Sequence, residues 1–196
     1  MSAIRTATVK RATSETNVAV ELVLDGTGRA SVATGIGFLD HLIDAFARHA
    51  RCDLTLRCTG DLHVDDHHTA EDVALAFGEA VDRALGDRLG IARFGHALVP
   101  LDDALSRGVV DLVTRPFADV ELGLRRDTLG ALATENVAHV LRSFAHSARL
   151  TLHVDVLKGH NDHHRAESAF KATALALRQA MAPSGFNDVP STKGVL

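Results

Sequence analysis

Histidine is the residue type whose number and spacing most directly indicate chemistry in this 196-residue chain, which contains 12 of them. Six of these histidines fall within two short segments, residues 63–68 and 160–164. Neutral imidazole is the commonest side-chain ligand for metal ions, and ligands must lie close together to share an ion. The clustering therefore predicts metal binding.

The pattern H-H-x-x-E occurs twice, at residues 67–71 and again 96 residues later at residues 163–167. On a helix, side chains three or four residues apart lie on one face, so the glutamate can share an ion with either histidine. The two adjacent histidines point about 100° apart and therefore suit two different ions. Each motif is expected to serve two ions, one shared with the rest of its own half of the chain and one with a partner surface.

Two further histidines precede the motifs at matching places in the repeat, and they raise the candidate ligands to four for each of two ions. The set is His41, His67, His68, Glu71, His139, His163, His164 and Glu167. Four ligands would saturate a tetrahedral ion such as structural Zn²⁺, whereas an octahedral ion would keep positions open for substrate. Mixed nitrogen and oxygen ligands favour Mn²⁺ or Fe²⁺ in a catalytic site, and the spacing does not decide between them.

The elements that must position these residues follow from hydrophobic periodicity. Helices are predicted at 37–50, 66–85, 134–147 and 162–181, with Gly86 ending the second and Thr134 capping the third. Strands are predicted at 3–10, 16–24, 28–33, 53–59, 93–101, 107–114, 117–122 and 149–156. Because both halves repeat one order, we predict an α+β fold of two duplicated half-domains related by pseudo-twofold symmetry, each a small mixed sheet with helices on one face.

Length and composition limit the classes of protein that this chain can belong to. We expect a single domain over residues 1–196, with half-repeats at about 1–88 and 89–182 and a tail at 183–196. A net charge of −4 without Trp or Tyr argues against nucleic acid as a partner. The apolar stretches fall short of the roughly 20 residues that cross a membrane. With two cysteines and no apolar leader, a cytoplasmic location is expected.

Several motifs together resemble those of the imidazoleglycerol-phosphate dehydratase family, and the resemblance spans nearly the whole chain. They are R-x-T-x-E-T at 11–16, G-I-G-F-L-D-H at 35–41, D-H-H-T-x-E-D at 66–72, R-F-G at 93–95, V-P-L-D at 99–102, T-E at 134–135, N-D-H-H-x-x-E at 161–167 and S-T-K-G at 191–194. One departure occurs where Val113 and Thr114 precede Arg115, because the family pattern has Ser-Gly there.

The resemblance implies a hydro-lyase of histidine biosynthesis that converts D-erythro-imidazole-glycerol phosphate to imidazole-acetol phosphate. It further implies two Mn²⁺ per active site, held by the eight ligands above, and a homo-oligomer of 24 subunits with sites between neighbouring chains. The reaction removes a carbon-bound proton next to the imidazole ring and expels a hydroxyl. Cations at the ring nitrogens would favour imidazolate, whose electrons can expel that hydroxyl.

The same resemblance assigns roles to residues outside the ligand set. Glu15, in a loop that can close over substrate, is expected to carry the proton. The predicted phosphate-binding residues are Arg93, Arg115, Ser191 and Lys193. Four aspartates are expected to orient imidazoles or stabilise helix starts, namely Asp66, Asp72, Asp102 and Asp162.

Two other functions stay open at this point. One is a dinuclear metal-dependent phosphatase or hydrolase, which would release inorganic phosphate from the same substrate. The other is a non-catalytic metal-binding assembly module, which gives no role to Arg115 or Lys193. Product identity separates the first alternative from a lyase, and substitution of the phosphate-site residues separates the second.

Overall fold

A computed structural model describes residues 4–194 and 196, and within them the chain forms four helices and ten strands. The helices are α1 (Gly37–Ala50), α2 (His67–Leu85), α3 (Thr134–Ser147) and α4 (Asp162–Ala180). The strands are β1 (Thr6–Ala12), β2 (Thr16–Val23), β3 (Ala30–Ala33), β4 (Asp53–Gly60), β5 (Phe94–Leu101), β6 (Ala104–Asp111), β7 (Phe117–Glu121), β8 (Thr128–Leu129), β9 (Leu132–Ala133) and β10 (Thr151–Lys158).

The strands form two four-stranded sheets with the same topology. Their orders are β1-β2-β4-β3 and β5-β6-β10-β7, and in each the last strand runs parallel to its neighbour while the other pairs are antiparallel. A short hairpin of β8 and β9 lies between β7 and α3. This arrangement confirms the predicted α+β fold with two duplicated half-domains, each built on a mixed sheet.

The four helices lie between the two sheets, so helices cover one face of each sheet. In the first half α2 packs on β1 and β2, and in the second half α4 packs on β5 and β6. Across the halves, α1 packs against α4 and α2 against α3. Three phenylalanine rings, those of Phe46, Phe77 and Phe144, meet in this helix layer with centroids 5.1–5.4 Å apart. No helix in the described residues has both the length and the apolar character that a membrane span needs.

The boundaries predicted for the four helices and for the eight strands agree with the structure to within three residues, and three strands are shifted at both ends. Strands β1 and β10 lie two to three residues later than predicted, and β6 lies three residues earlier. The strand predicted at 107–114 runs instead from Ala104 to Asp111, because the chain reverses in a tight turn at Asp102 and Asp103. Asp102 adopts a left-handed φ of 46° that supports this reversal. The predicted first strand begins with residue 3, which lies outside the described residues.

One of the two predicted helix ends is confirmed. Gly86 is the C-cap of α2 and has a positive φ of 55°. The prediction for Thr134 is wrong, because Ala133 is the N-cap and Thr134 is the first helical residue. The Thr134 hydroxyl donates to the carbonyl of Arg126 at 2.7 Å, so it faces the preceding loop instead of the first helical amides.

Candidate active site

The first group of candidate ligands joins α2 of one half to α3 of the other. His67 and Glu71 lie one turn apart on α2, and Nε2 of His139 on α3 is 3.2 Å from Oε1 of Glu71. The rings of His67 and His139 stack with centroids 4.9 Å apart. The candidate ligand atoms of these three residues all lie within 4.8 Å of one another. We call this group the first cluster.

The second cluster repeats this arrangement with the halves exchanged. His163 and Glu167 lie one turn apart on α4, and His41 comes from α1. Nε2 of each histidine is 3.1 Å from Oε2 of Glu167. The three candidate ligand atoms again lie within 4.8 Å of one another. Burial opposes ionisation of Glu167, but hydrogen bonds from Lys171 and His41 outweigh it and lower the pKa of the carboxyl to about 2.

Both clusters cross between the halves of the molecule. The expectation that a motif shares an ion with the rest of its own half is therefore wrong for His67 and His163. The physical reason is helix packing, because α2 lies against α3 and α4 lies against α1. Each H-H-x-x-E motif thus faces the histidine that precedes the other motif.

The donor atoms present suit a divalent metal ion. Each cluster offers imidazole nitrogens from two histidines and one carboxylate, with mutual spacings that allow one ion to be shared. Three protein ligands leave further coordination positions on an octahedral ion, as a catalytic site requires. The residues therefore fit a metal-dependent enzyme, and the donor set is the same in both clusters.

The second histidine of the first motif points away from both clusters. The rings of His67 and His68 are 6.2 Å apart and inclined by 75°, as the predicted divergence of adjacent helical residues requires. Nδ1 of His68 lies 3.0 Å from Oδ2 of Asp61, and Nε2 lies 3.7 Å from Oε1 of Glu15. The hydrogen bond to Asp61 raises the pKa of His68, and the Glu15 charge adds to this effect.

The second motif places His164 in a matching environment. Nδ1 of His164 lies 2.7 Å from Oδ1 of Asp103, and Nε2 lies 3.4 Å from Oδ2 of Asp102. Asp103 also accepts hydrogen bonds from the backbone N–H groups of His160 and Asn161, and these contacts hold the pKa of its carboxyl well below the usual range. In both halves, a hairpin turn therefore presents a carboxylate to the second histidine of the motif.

The turn that carries Glu15 is tied to helix α2. The backbone N–H of Glu15 donates to the hydroxyl of Thr13 at 3.1 Å. Buried Asp72 on α2 accepts hydrogen bonds from the Thr16 hydroxyl at 2.5 Å and from Nε of Arg11 at 2.8 Å. These contacts hold the turn beside the first motif while the carboxylate of Glu15 remains accessible.

The four predicted phosphate-binding residues line one cavity of about 300 Å³. They are Arg93, Arg115, Ser191 and Lys193. Nε and Nη2 of Arg93 lie 2.8 and 3.1 Å from the two oxygens of Asp111, which raises the pKa of the guanidinium, and Nη1 donates to the carbonyl of Pro190 at 2.8 Å. Arg93 thereby joins strand β6 to the C-terminal tail.

The departure from the family pattern at Val113 and Thr114 lies beside this cavity. Val113 lines the cavity together with Arg115. The Thr114 hydroxyl donates to the carbonyl of Leu196, the last residue of the chain. A glycine could not make that contact, so in this protein the altered pair helps to hold the tail against the cavity.

Comparison with known proteins agrees with this geometry. The family model described as imidazoleglycerol-phosphate dehydratase matches residues 34–177. The chain belongs to the imidazoleglycerol-phosphate dehydratase family. This assignment confirms the predicted enzyme class, a carbon–oxygen lyase that performs the dehydration step of histidine biosynthesis.

Similar dehydratases cover most of the chain. A relative from Candida glabrata named imidazoleglycerol-phosphate dehydratase is 55% identical, covering 96% of this chain and 98% of the relative. One of the same name from Saccharomyces cerevisiae is 51% identical, with 97% of each chain covered. A third, from Phytophthora nicotianae, is 56% identical over 100% of this chain, which spans only 43% of that longer protein.

Solved dehydratase structures share the fold. The crystal structure of IGPD from Pyrococcus furiosus in complex with (S)-C348 has a TM-score of 0.83 and 35% identity, covering 96% of this chain and 100% of that one. The crystal structure of imidazoleglycerol-phosphate dehydratase from Staphylococcus aureus has a TM-score of 0.80 and 31% identity, covering 91% of this chain and 99% of that one. The duplicated arrangement of sheets and helices is therefore common to these dehydratases.

The polar partners of the imidazoles in this dehydratase are mostly not the aspartates that the motifs predicted. Of the four aspartates expected to orient imidazoles or stabilise helix starts, Asp102 lies near an imidazole, and Asp66 and Asp162 lie at the starts of α2 and α4. Asp66 and Asp162 accept backbone N–H groups of the segment between β7 and α3, and Asp72 holds the Glu15 turn. The acceptors that the motif analysis missed are Asp61, Asp103 and Asn136.

The contacts of these missed residues could not be read from spacing alone. Asp61 and Asp103 lie in loops outside the helical motifs, and Asn136 reaches His67 only because α3 packs on α2. Asn161 was also missed as a helix cap, although its sequence signal is visible. Its side chain accepts from the amides of His163 and His164, and Asn directly before a helix is a strong N-cap.

Proposed function

We propose that this chain dehydrates D-erythro-imidazole-glycerol phosphate to imidazole-acetol phosphate with two divalent ions per active site. The observation that carries the proposal is the pair of crossed clusters, each joining the His and Glu of one H-H-x-x-E motif to a histidine of the other half. A metal-independent lyase would have no use for this donor set. A separate cavity of the chain, lined by cationic side chains, suits the phosphate group.

The eight predicted ligands are proposed to hold Mn²⁺, with Fe²⁺ or another octahedral divalent ion as the alternative. When bound, such ions supply Lewis acidity that favours the deprotonated imidazole ring of the substrate. The chain orients its own ligands for this purpose. Asn136 and Asp61 accept from the Nδ1 atoms of His67 and His68, which leaves each Nε2 with its lone pair free.

Glu15 is proposed to move the substrate proton. It lies on a turn, its carboxylate is accessible, and the contacts of Asp72 hold the turn beside the first motif. Arg93, Arg115 and Lys193 are proposed to bind the phosphate with Ser191. Arg93 also contacts the tail that carries two of these residues. With active sites between neighbouring chains, phosphate binding in the cavity of one chain would fix the distance from Glu15 of another chain to the reacting carbon.

His68 and His164 are proposed to complete the clusters of neighbouring chains. Both point away from the clusters of their own chain, toward the turns at Glu15 and Asp102. This placement supports a homo-oligomer with active sites between subunits, for which we propose 24 copies. Residues 1–196 would act as one dehydratase domain, with half-repeats at 1–88 and 89–182, and the biosynthetic role supports a cytoplasmic location.

The test of this function is product identity with a matched pair of variants. Purified protein with manganese should convert imidazoleglycerol phosphate to a ketone that keeps its phosphate. Glu15→Gln should keep metal content and substrate binding but lower kcat by about 10²- to 10⁴-fold, since it removes the proton carrier. Glu21→Gln, on an exposed position of β2, is the control and should retain activity.

Two outcomes would contradict the proposal. Release of inorganic phosphate would identify a dinuclear phosphatase, and the absence of turnover despite bound metal would favour an assembly module. Near-normal activity of Glu15→Gln would remove that residue from proton transfer while leaving the reaction assignment intact.

A further inference from the structure

The two clusters have the same ligand types but differ at two neighbouring positions that the duplication makes equivalent. Four residues beyond the ligand glutamate, the first motif has Leu75 where the second has Lys171. Each cluster also takes one histidine from the other half of the chain, His139 on α3 or His41 on α1. Three residues before that histidine, α3 has Asn136 and α1 has Phe38. Both differences bear on ligand charge and orientation.

Lys171 changes the charge of the second cluster. Its Nζ lies 2.7 Å from Oε1 of Glu167, and the side chains of both residues are largely buried, at 17% and 13% exposure. In the first cluster, Glu71 is 40% exposed and the equivalent neighbour Leu75 carries no charge. An ammonium bound to the ligand carboxylate lowers its donor strength and repels a dication from the same site.

Asn136 strengthens the first cluster. Its buried amide oxygen lies 3.0 Å from Nδ1 of His67, so it can hold the proton there and leave Nε2 as the ligand atom. An acceptor behind a ligand imidazole also raises the basicity of that ligand. In the second cluster, the equivalent Phe38 ring packs edge-on against His163 with centroids 5.1 Å apart and offers no acceptor.

We propose that the two clusters bind divalent ions with unequal affinity, the first cluster (His67, Glu71, His139) filling before the second (His41, His163, Glu167). Both differences act in the same direction, because one weakens the second cluster and the other strengthens the first. The inference rests on the proposed metal-dependent function. Beyond that function, the inference states that a chelator removes the ion of the second cluster first.

Manganese titration of the intact protein tests this order. Protein stripped with a chelator is titrated with Mn²⁺, and binding is followed by calorimetry and by the electron paramagnetic resonance signal of free Mn²⁺. The wild type should show two classes of sites, with dissociation constants at least about tenfold apart, the usual effect of residues that contact metal ligands. Each class should hold one ion per chain.

Reciprocal variants identify which cluster is which. Lys171→Met keeps the length of the side chain but removes its charge, and should tighten the weaker class by about tenfold. Lys171→Arg retains the charge and should leave two separated classes. Leu75→Lys places an ammonium beside Glu71 and should weaken the tighter class, and it keeps the proposal testable if Lys171→Met fails to fold.

The results separate failure of this inference from failure of the proposed function. Two equal manganese sites in the wild type, or a weaker class that Lys171→Met leaves unchanged, would overturn the unequal filling only. No binding of manganese or of another divalent ion in the wild type would overturn the metal-dependent function together with the inference.

Discussion

Three of the six candidate ligand histidines are oriented through polar contacts at Nδ1. Asn136 contacts His67 at 3.0 Å, Asp61 contacts His68 at 3.0 Å, and Asp103 contacts His164 at 2.7 Å. Each contact leaves Nε2 as the atom that can bind an ion or substrate. Because the carboxylate of Asp61 also favours the protonated ring of His68, it links the chemistry of the site to pH.

Removing the carboxylate at Asp61 should change stability in a defined pH window. The raised pKa of His68 stabilises the fold below its ordinary value of 6.5, and this gain is lost as pH rises through the raised value. The lowered pKa of Asp61 stabilises the fold above its ordinary value of 3.8, and this gain is lost as pH falls through the lowered value. Asp61→Asn should therefore destabilise metal-free protein most between these two ordinary values.

Urea unfolding across pH, together with NMR titration of His68, measures this effect. Asp44→Asn, at an exposed position of α1, is the control and should show no such window. A destabilisation by Asp61→Asn that is the same at all pH values, with an unchanged His68 pKa, would show that the pair does not act through charge.

At the phosphate cavity, a single charge is expected to govern substrate affinity. Lys193→Ala should raise KM for imidazoleglycerol phosphate by about 10- to 100-fold, the size of one charge-assisted hydrogen bond. Metal content should not change, since Lys193 contacts neither cluster. The control is Lys10→Ala, at an exposed position of β1. Unchanged KM would remove Lys193 from the phosphate site.

At the scale of whole elements, the helix layer serves both as core and as scaffold for the ligands. Helices α1, α2 and α3 meet through Phe46, Phe77 and Phe144, and the same helix contacts bring the motif of one half to the histidine of the other. Apolar packing between these helices therefore holds the clusters together before any metal binds. A substitution that weakens this core packing should therefore also displace the ligands that these helices carry.

Phe77→Ala tests this coupling. It should lower the free energy of unfolding by about 3–5 kcal/mol, the usual result of removing a buried phenylalanine ring. Phe186→Ala, at a residue that is 75% exposed, should change it by less than about 0.5 kcal/mol. Urea denaturation of metal-free protein gives both values. Equal effects of the two substitutions would mean that the phenylalanine contacts contribute little.

At the scale of the whole molecule, duplication produces two half-sites whose second histidines face outward from their own clusters. If neighbouring chains use these histidines, metal binding and assembly are coupled, because each bound ion then joins separate chains. Loss of a ligand should then affect both properties together. The coupling would also make assembly dependent on pH, since protonated histidine does not bind metal.

His67→Ala and His163→Ala should each lower manganese content and shift the particle to smaller mass. Light scattering measures the mass, and elemental analysis measures the metal. His96→Ala, at an exposed position of β5, is the control and should leave both unchanged. Particles of wild-type mass that lack manganese would show that assembly does not depend on the clusters.

The sequence by itself determined the helices, most of the strands, the duplicated order and the candidate ligands. These features depend on residues that are close along the chain, whose hydrophobic period and repeated motifs are visible without a structure. Even so, the strand predicted at 107–114 was displaced, because the turn at Asp102 carries no glycine or proline to signal it.

Only the tertiary structure decided that the clusters cross between the halves, that Asn136 and Asp61 orient the imidazoles, and that Lys171 binds the carboxylate of Glu167. The first two outcomes depend on which helix surfaces pack against each other, and the hydrophobic period of a single helix does not specify its partner. Lys171 lies one turn after Glu167 on the same helix, yet a lysine at this spacing can also extend into solvent. Because the pair is largely buried in the tertiary structure, Lys171 is part of the site and not a solvated surface charge.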